Sequence, residues 1–458
     1  MNSAFMDLGS TVETLYQVAI YKDYYRIFHG HFQPFILIFS IPFFIFKPII
    51  ATYIILIIQN ILLLSPILII LRRYNFKYSI MYLLNPYIYY ISFNSFNIDC
   101  LIIPFISYFL IFSNSHKVLL SLITSIIICL IKEPYSLVSI MCGFYLIIKL
   151  DKNFKNILFS TILILFSSLY FYFTVAIILP LFSPNLNLLS EYAYLGKNIK
   201  DIISKLHINI FIFIENLFDF NKLKFFIYIL LFFSPIIIFF PLELMLISPL
   251  ILILLASKNQ NYYSIGHHYL MPLLPIFIFC IYKFTIKRPL IVLNLFIFFT
   301  FLINIILSPS PVSRLFISNK IDYYNYRSYI LDSRSLFIRT KIDEIFYDRK
   351  ANLTLSIQNN IFNPTLFTNA VPILFPDGIY EKKIYPFLYG NHSGKQLFAD
   401  YILIDTKKQP YIYDKSCNYL YGQCQDTNFL EDYLKIIEYL KLNFEIIFSY
   451  DGFYIFKR

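Results

Sequence analysis

The sequence predicts an all-α polytopic membrane bundle followed by a small C-terminal α/β domain. Of the 458 residues, 58% are hydrophobic and only 14% are charged, whereas an ordinary soluble domain is about one quarter charged. Apolar runs such as 49–71, 157–181 and 225–255 reach the roughly 20 residues that a membrane-spanning helix needs. Because these runs do not alternate polar and apolar residues, helices are expected rather than strands.

The basic net charge says little about partners. The chain has 38 basic and 27 acidic residues, a formal charge of +11, but basic loops are common in membrane proteins for topological reasons. Frequent Ile, Phe, Tyr, Asn and Lys, together with the absence of Trp, are typical of an AT-rich genome. No basic stripe accompanies a recognition fold, so nucleic acid is not an expected partner.

The apolar runs predict about ten spans, from about residue 51 to residue 308, within a membrane domain of residues 1–308. A polar segment, 1–33, precedes them and contains neither a span nor a signal peptide. The predicted spans are 51–71, 78–93, 98–113, 118–131, 135–150, 154–181, 222–240, 242–257, 267–283 and 289–308. Several are short, which is compatible with tilted, paired or partly re-entrant segments.

Orientation follows from three basic loops, 72–77, 149–155 and 283–288. Alternate crossing places all three on one side, and the positive-inside rule makes that side cytoplasmic. Residues 1–50 and everything after 308 then lie outside, as expected for a plasma-membrane protein with an extracytoplasmic C-terminal domain. An outer N-terminus needs a segment that drives it across, so we expect a span before residue 1 in the full-length protein. The alternative is that 34–50 inserts differently.

The C-terminal region, 312–458, has no long apolar run and carries charges throughout. Strands are predicted at 353–357, 401–404, 444–448 and 453–456. The last two are separated by Tyr450-Asp451-Gly452 and predict a hairpin. Residues 431–442 repeat apolar side chains at helical spacing. The region therefore predicts a soluble α/β domain of ordinary size.

The six cysteines divide between these two regions. Those in apolar runs are interpreted as small hydrophobic residues: Cys100, Cys129, Cys142 and Cys280. Cys417 and Cys424 lie in the C-terminal region, where a disulfide and two free thiols remain equally open. A structural metal site is not favoured, because no second Cys or His pair stands nearby.

The predicted outer side collects the unusual polar residues. They are Asp7, Glu13, Gln17, His29, His31, Lys132, Glu133, His267, His268 and Tyr269. Each by itself fits a loop charge, a loop histidine or a snorkelling lysine. Their common placement at the ends of apolar helices instead favours a functional site.

The order of several short motifs resembles a known family. They are Asp7-Leu8-Gly9, His31-Phe32-Gln33-Pro34, Gln59, Asn85-Pro86, Lys132-Glu133, Tyr263-Ser264-Ile265, His268-Tyr269 and the run 399–405. This order resembles the predicted membrane-protein family of unknown function 2079 over nearly the whole chain. The order of the motifs carries the resemblance, since no single motif is specific.

That family looks like a distant relative of the GT-C glycosyltransferases, multi-span enzymes that take sugar from a polyprenyl-phosphate donor. The resemblance implies a GT-C-like bundle, an interfacial juxtamembrane helix at 34–46, and Asp7 as the catalytic residue. A positioned carboxylate can act as general base. The cofactor is unknown; a divalent metal at Asp7 is compatible with the sequence but not required. The relatives have a span before this aspartate and the chain does not.

The remaining roles follow from what glycosyl transfer requires. Lys132 is the candidate phosphate contact and Arg26 a weaker one, because cations stabilise a departing phosphate. Residues expected to bind sugar hydroxyls or phosphate are His29, His31, Glu133, His267, His268 and Tyr269. The sequence specifies neither the sugar nor the acceptor.

Two other function classes remain open. A transporter or flippase of lipid-linked or small solutes would show internal repeats and helices broken at mid-membrane, and no convincing repeat is found. A catalytically inactive membrane scaffold would keep the fold and bind partners through its outer domain. Assaying transfer from a lipid-linked sugar separates the enzyme from both alternatives.

Overall fold

The described part of the chain covers most of the membrane domain and four strands of the C-terminal domain. The computed structural model describes residues 10–22, 24–28, 31–46, 48–73, 75–93, 96–150, 153–182, 192, 194–196, 201, 204, 206–217, 219–258, 262–263, 268–313, 337, 341, 355–358, 401–405, 438, 441–442 and 444–457. Several predicted features lie outside these residues: Asp7, His29, His267, Cys417, Cys424 and the side chain of Arg26.

Helices dominate the membrane domain. In chain order they are α1 Ser10–Tyr16, α2 Ile36–Ile45, α3 Pro48–Arg73, α4 Phe76–Leu83, α5 Pro86–Phe93, α6 Ile102–Asn114, α7 Val118–Ile131, α8 Tyr135–Lys149, α9 Phe154–Phe173, α10 Leu179–Phe182, α11 Leu206–Leu217, α12 Phe220–Phe233, α13 Pro241–Met245, α14 Ser248–Ala256, α15 Leu273–Thr285 and α16 Leu290–Leu307. Short 3₁₀ or π turns join some of them, at Gln17–Tyr21, Tyr24–Phe28, Ile98–Leu101, Thr174–Ile178, Pro235–Phe239 and His268–Leu270.

Four helical segments in the described part of the chain are long and apolar enough to cross a membrane. They are Ile50–Ile69, Phe154–Phe182, His268–Thr285 and Leu290–Leu307. Other apolar helices are shorter; α7, for example, has 14 residues. At about 1.5 Å per residue such a helix is about 21 Å long, less than a hydrocarbon core of about 30 Å. The prediction of transmembrane helices is confirmed, and the count of about ten spans stays a prediction.

Some predicted spans are interrupted. The span 222–240 leaves the α-helix at Ser234, whose φ of 66° is not helical, and Pro235 then removes a backbone donor. The span 242–257 divides at a turn between α13 and α14. The predicted outer loop 182–221 contains the helix α11, which the sequence analysis missed. Helix boundaries here depend on proline and backbone turns that hydrophobicity does not report.

Asparagine side chains stabilise these interruptions. Asn85, between α4 and α5, donates from Nδ2 to the carbonyl of Phe232 at 2.9 Å and accepts the Tyr87 N–H at 2.9 Å. Asn304 Nδ2 donates to the carbonyl of Leu84 at 2.8 Å. A broken helix frees backbone groups that lipid cannot satisfy. These amides supply the missing hydrogen bonds and join the two interruptions.

The segment predicted as an outer loop, 1–33, is helical over much of its described length. α1 and the turns after it lead into α2, a helix within the range 34–46; its placement at the membrane interface stays a prediction. Their apolar side chains form one cluster with the start of α3 and with Phe96 and Ile98. This packing joins the N-terminal turns to the 3₁₀ turn that carries Asp99.

Helices α8 and α9 pack closely because small residues face each other. A Cβ atom at Gly143 would lie 2.5 Å from Cγ1 of Ile164 and 3.0 Å from the carbonyl oxygen of Ser160. Ser167 Oγ donates to Ser139 Oγ at 2.9 Å across the same interface. Small residues allow helices in membranes to approach closely and form such bonds.

We expect Gly143→Leu to destabilise the bundle. The added side chain would force α8 and α9 apart, and overpacking of this kind costs about 1–3 kcal/mol. The melting temperature in detergent should fall, whereas Phe144→Leu, at a neighbouring exposed position, should change it little. Equal melting temperatures for the two variants would contradict the close helix contact.

The C-terminal strands form one mixed sheet. The strands are β1 Leu355–Gln358, β2 Tyr401–Asp405, β3 Glu445–Tyr450 and β4 Phe453–Lys457, in the order β1-β2-β4-β3. β1 is parallel to β2, and β4 is antiparallel to both β2 and β3. The predicted hairpin is confirmed. Asp451 and Gly452 both have positive φ, 43° and 83°, as a two-residue type I′ turn requires.

Candidate functional site

Asp99 is a buried carboxylate at the end of an apolar helix. It lies in the Ile98–Leu101 turn that leads into α6, and its side chain is 2% exposed. Asn97 caps this turn by accepting the Asp99 N–H at 3.0 Å. Gln59 of α3 accepts the Asn97 N–H at 2.6 Å. These bonds hold the backbone of the turn and therefore place the carboxylate.

A lysine and a histidine converge on one oxygen of Asp99. Lys132 Nζ lies 3.6 Å from Oδ2, and His268 Nε2 lies 3.0 Å from the same atom. Lys132 follows the last residue of α7, and His268 begins the turn before α15. The carboxylate thus joins three separate segments. Buried ionic groups of this kind need such partners, because isolated charges are costly away from water.

Aromatic hydroxyls surround the other side of the carboxylate. Tyr135, at the start of α8, hydrogen-bonds to Asp99 through its side chain. Tyr87, in α5, lies close enough to interact with the charge of Asp99. The Tyr87 hydroxyl accepts the N–H of Leu270 at 3.0 Å. Oδ1 of Asp99 nevertheless accepts no hydrogen bond from the residues that the structure describes. A buried carboxylate oxygen of this kind calls for a further donor, such as an ordered water or a ligand group.

His31 and Glu133 form a second pair beside this cluster. His31 Nδ1 contacts Glu133 Oε1, and the backbone N–H of Phe32 donates to Glu133 Oε2 at 3.2 Å. The Glu133 side chain is 4% exposed and that of His31 is 35% exposed. Because an ionised carboxylate only accepts hydrogen bonds, Nδ1 of His31 is the donor in this contact, and Nε2 is the ring nitrogen that remains for a substrate group.

The combined site contains two carboxylates, one lysine and two histidines at the ends of apolar helices. The histidine that Glu133 orients has the arrangement of a general base. Lys132 and His268 can stabilise negative charge. Within the described part of the chain, no group of three or more His, Cys, Asp or Glu side chains has a geometry that could hold a metal ion.

The structure brings together four of the residues that the sequence analysis selected: His31, Lys132, Glu133 and His268. Tyr269 packs against His268 with ring centroids 4.2 Å apart and against Tyr262 at 5.1 Å. Asp7, His29 and His267 lie outside the described residues. The roles of all these residues as catalytic or substrate-binding groups stay predictions.

Asp99, the centre of the cluster, was not among the predicted residues. It was treated as part of the apolar span 98–113, although an ionisable residue in such a span is itself a signal of function. Lys132 was interpreted as a phosphate contact, but it is already paired with Asp99. Neither partner could be identified from spacing, because 33 positions separate 99 and 132 in the sequence.

A second ionic cluster lies at the opposite ends of α8 and α15. Lys283 Nζ contacts Oε1 of the buried Glu243, and the Tyr145 hydroxyl donates to the same oxygen at 3.3 Å. Lys149 Nζ donates to the Tyr145 hydroxyl at 2.7 Å. Tyr135, beside the first cluster, and Tyr145, in the second, are ten residues apart on α8, or about 15 Å along its axis. Glu243 joins α13 to α15 and, through Tyr145, to α8.

Comparison with known families identifies the class of membrane protein. The family described as "Predicted membrane protein (DUF2079)" matches residues 9–409. No curated protein and no solved structure matches the chain. The match includes the Asp99 cluster, the His31–Glu133 pair and β1 and β2, and it spans well over half of the sequence. The chain therefore belongs to this family of predicted membrane proteins.

Proposed function

We propose that this protein is a membrane glycosyltransferase that takes sugar from a polyprenyl-phosphate-linked donor. The observation that carries the proposal is the buried Asp99 carboxylate with Lys132 and His268, next to a histidine that a glutamate orients. Charged groups at this depth are costly and mark functional sites in membrane proteins. The resemblance to GT-C enzymes supplies the reaction class.

The proposed reaction needs a base and a stabilised leaving group. A base removes the proton of an acceptor hydroxyl, whose oxygen forms a bond to the anomeric carbon. The bond from that carbon to the phosphate oxygen breaks, and polyprenyl phosphate leaves with the electron pair. His31, held by Glu133, is one candidate base, and Asp7 is the other, by family resemblance. Asp99 holds Lys132 and His268 beside the bound sugar.

The direct test is sugar transfer by purified full-length protein in lipid vesicles. We expect transfer of radiolabelled sugar from a polyprenyl-phosphate donor to an acceptor, and loss of transfer in Asp99→Asn. Glu215→Gln, which changes an exposed carboxylate on α11, serves as control. The absence of transfer from any polyprenyl-phosphate sugar, by a protein shown to be folded, would oppose the proposal.

A transporter of lipid-linked or small solutes is the second candidate, and the interrupted helices favour it. Asn85-Pro86 and Ser234-Pro235 interrupt two neighbouring segments, a feature of transporter cores. In a transporter, the ionic cluster at each end of α8 would open and close the solute path on its own side of the membrane. Movement of a fluorescent polyprenyl-phosphate lipid across vesicles, with no sugar transfer, would favour this candidate.

We also propose that the Asp99 cluster and residues 312–458 face outward from the plasma membrane, while 72–77, 149–155 and 283–288 are cytoplasmic. In a background with Cys417 and Cys424 replaced by serine, Leu442→Cys should react with a membrane-impermeant maleimide in intact cells. Lys155→Cys should react only after permeabilisation; both positions are exposed. The four described native cysteines are buried and should not react with the maleimide. The reverse labelling pattern would overturn this orientation.

A further inference from the structure

Lys222 holds a buried ammonium group that the described residues do not satisfy. It lies in the first turn of α12, and 2% of the residue is exposed. Its Nζ is buried and has no hydrogen-bond partner among the residues that the structure describes. Lysine is almost never fully buried without a counter-charge, because burial removes the hydration of the ammonium. A group that accepts hydrogen bonds from this ammonium would offset that cost.

The ring of Tyr263 is the contact that the protein provides. Lys222 Nζ lies 5.2 Å from its centroid. Cation–π attraction is weaker than the hydration that burial removes, and it does not use the three N–H donors of the ammonium. The ring therefore positions Lys222 but leaves its donors for another group.

The charges around Lys222 favour an anion. Asp219 and Lys258 are the charged groups that act on it. Asp219 already caps α12 by accepting the Asn221 N–H at 2.9 Å. Two cations thus face one carboxylate, which also caps the helix, at the N-terminus of a helix of 14 residues. Both the net charge and the helix dipole attract a negative group.

Aromatic contacts connect Lys222 with the Asp99 cluster. Tyr263, over which Lys222 lies, follows Tyr262 in the chain, and Tyr262 stacks on Tyr269 at 5.1 Å. Tyr269 packs against His268 at 4.2 Å, and His268 binds Asp99. These contacts and the adjacency of Tyr262 and Tyr263 form a series of aromatic side chains from Lys222 to His268.

The neighbouring surface of α12 suits a lipid rather than a soluble anion. Leu223, Phe226 and Ile227 are large apolar side chains with 54%, 42% and 49% exposure. In the predicted span 222–240, of which α12 is part, exposed apolar side chains would face acyl chains. A ligand with its phosphate at Lys222 could thus lay a hydrocarbon chain along the same helix.

We infer that Lys222 is the phosphate contact of the polyprenyl-phosphate donor, a role that the sequence analysis gave to Lys132. Lys132 is already paired with Asp99, whereas Nζ of Lys222 has no hydrogen-bond partner among the residues that the structure describes. The inference rests on the proposed function and deepens it by naming the residue that binds the phosphate. With the phosphate bound at Lys222, the Asp99 cluster binds the sugar and the acceptor.

Binding of radiolabelled polyprenyl phosphate, without sugar, to the full chain in nanodiscs tests the inference. We expect Lys222→Met to weaken binding about 10–100-fold, the effect of removing a charged hydrogen-bond donor. Lys222→Arg should stay within a few-fold of the original protein, because it keeps the charge. Lys224→Met, two residues along the same helix and half-buried, is the matched control and should bind normally.

Further measurements separate the alternatives. Neutral polyprenol should compete weakly with polyprenyl phosphate, and equally in all variants. Millimolar inorganic phosphate should also compete poorly. Efficient competition by phosphate would mean that Lys222 binds a free anion and not a lipid. Without ligand, Lys222→Met should melt no lower than the original protein, since it removes an unpaired buried charge. A lower melting temperature would mean that Lys222 has a partner within the fold, and would overturn the inference.

The binding assay also distinguishes failure of this inference from failure of the proposed function. Tight binding that depends on Lys222, with no sugar transfer, would uphold the phosphate site and oppose the glycosyltransferase. Sugar transfer by the protein, together with unchanged lipid affinity in Lys222→Met, would support the glycosyltransferase and oppose the phosphate site at Lys222. Loss of binding in Lys132→Met but not in Lys222→Met would show that Lys132, and not Lys222, is the phosphate contact.

Discussion

Sugar transfer should fall about 10²–10⁴-fold when His31 is replaced by asparagine, the usual contribution of a general base. The asparagine amide can still donate to Glu133, as Nδ1 of the histidine does, but it lacks the basic Nε2. The variant should therefore keep its melting temperature and its affinity for the lipid donor. Turnover with saturating donor and acceptor is the measurement.

Two other variants make this result specific. His116→Asn changes an exposed histidine after α6 and should transfer sugar at the normal rate. Asp7→Asn tests the base that family resemblance suggests. If Asp7 is the base, turnover should fall further in Asp7→Asn than in His31→Asn. Normal turnover in both His31→Asn and Asp7→Asn would remove both candidate bases and the main chemical support for a glycosyltransferase.

Asp99→Asn should lower the free energy of unfolding by about 3–5 kcal/mol, because breaking a buried ion pair leaves its partner charge uncompensated. Lys132, with 9% of its side chain exposed, would keep a buried ammonium group without the carboxylate that it pairs with. His268 would lose the same partner. Denaturation of the purified protein in mixed micelles, followed by circular dichroism, measures the change.

A double substitution tests the cause. Asp99→Asn combined with Lys132→Met removes both charges, so it should recover much of the lost stability. Glu215→Gln alone should alter the free energy of unfolding by no more than about 0.5 kcal/mol, as expected for an exposed site. If the double variant is as unstable as Asp99→Asn alone, the loss does not come from the unpaired lysine.

Most of the candidate site was accessible from sequence because its members are polar residues beside apolar runs. His31, Lys132, Glu133 and His268 stand out for that reason, since lipid makes each of them costly. Asp99 lies inside an apolar run, and a window that averages hydrophobicity does not reveal it. Lys222 was hidden in the same way at the start of the predicted span 222–240.

Helix interruptions show a second limit of hydrophobic pattern. Pro235 was visible in the sequence, but proline in a membrane helix can kink it, break it or be accommodated. The outcome at Ser234 depends on Asn85, which bonds the carbonyl of Phe232 from a distant part of the chain. The hairpin of β3 and β4 is the opposite case, because the turn residues Asp451 and Gly452 determine it locally.

The sequence by itself determined the class of protein, the presence of transmembrane helices and the local C-terminal hairpin. These depend on composition, on the length of apolar runs and on short-range turn geometry, all of which are properties of contiguous residues. Only the tertiary structure decided that Lys132 pairs with Asp99 and His31 with Glu133, and that Lys222 lies over Tyr263. A charge takes the partner that folding brings within a few ångströms, and helix packing, which no local pattern encodes, sets that distance.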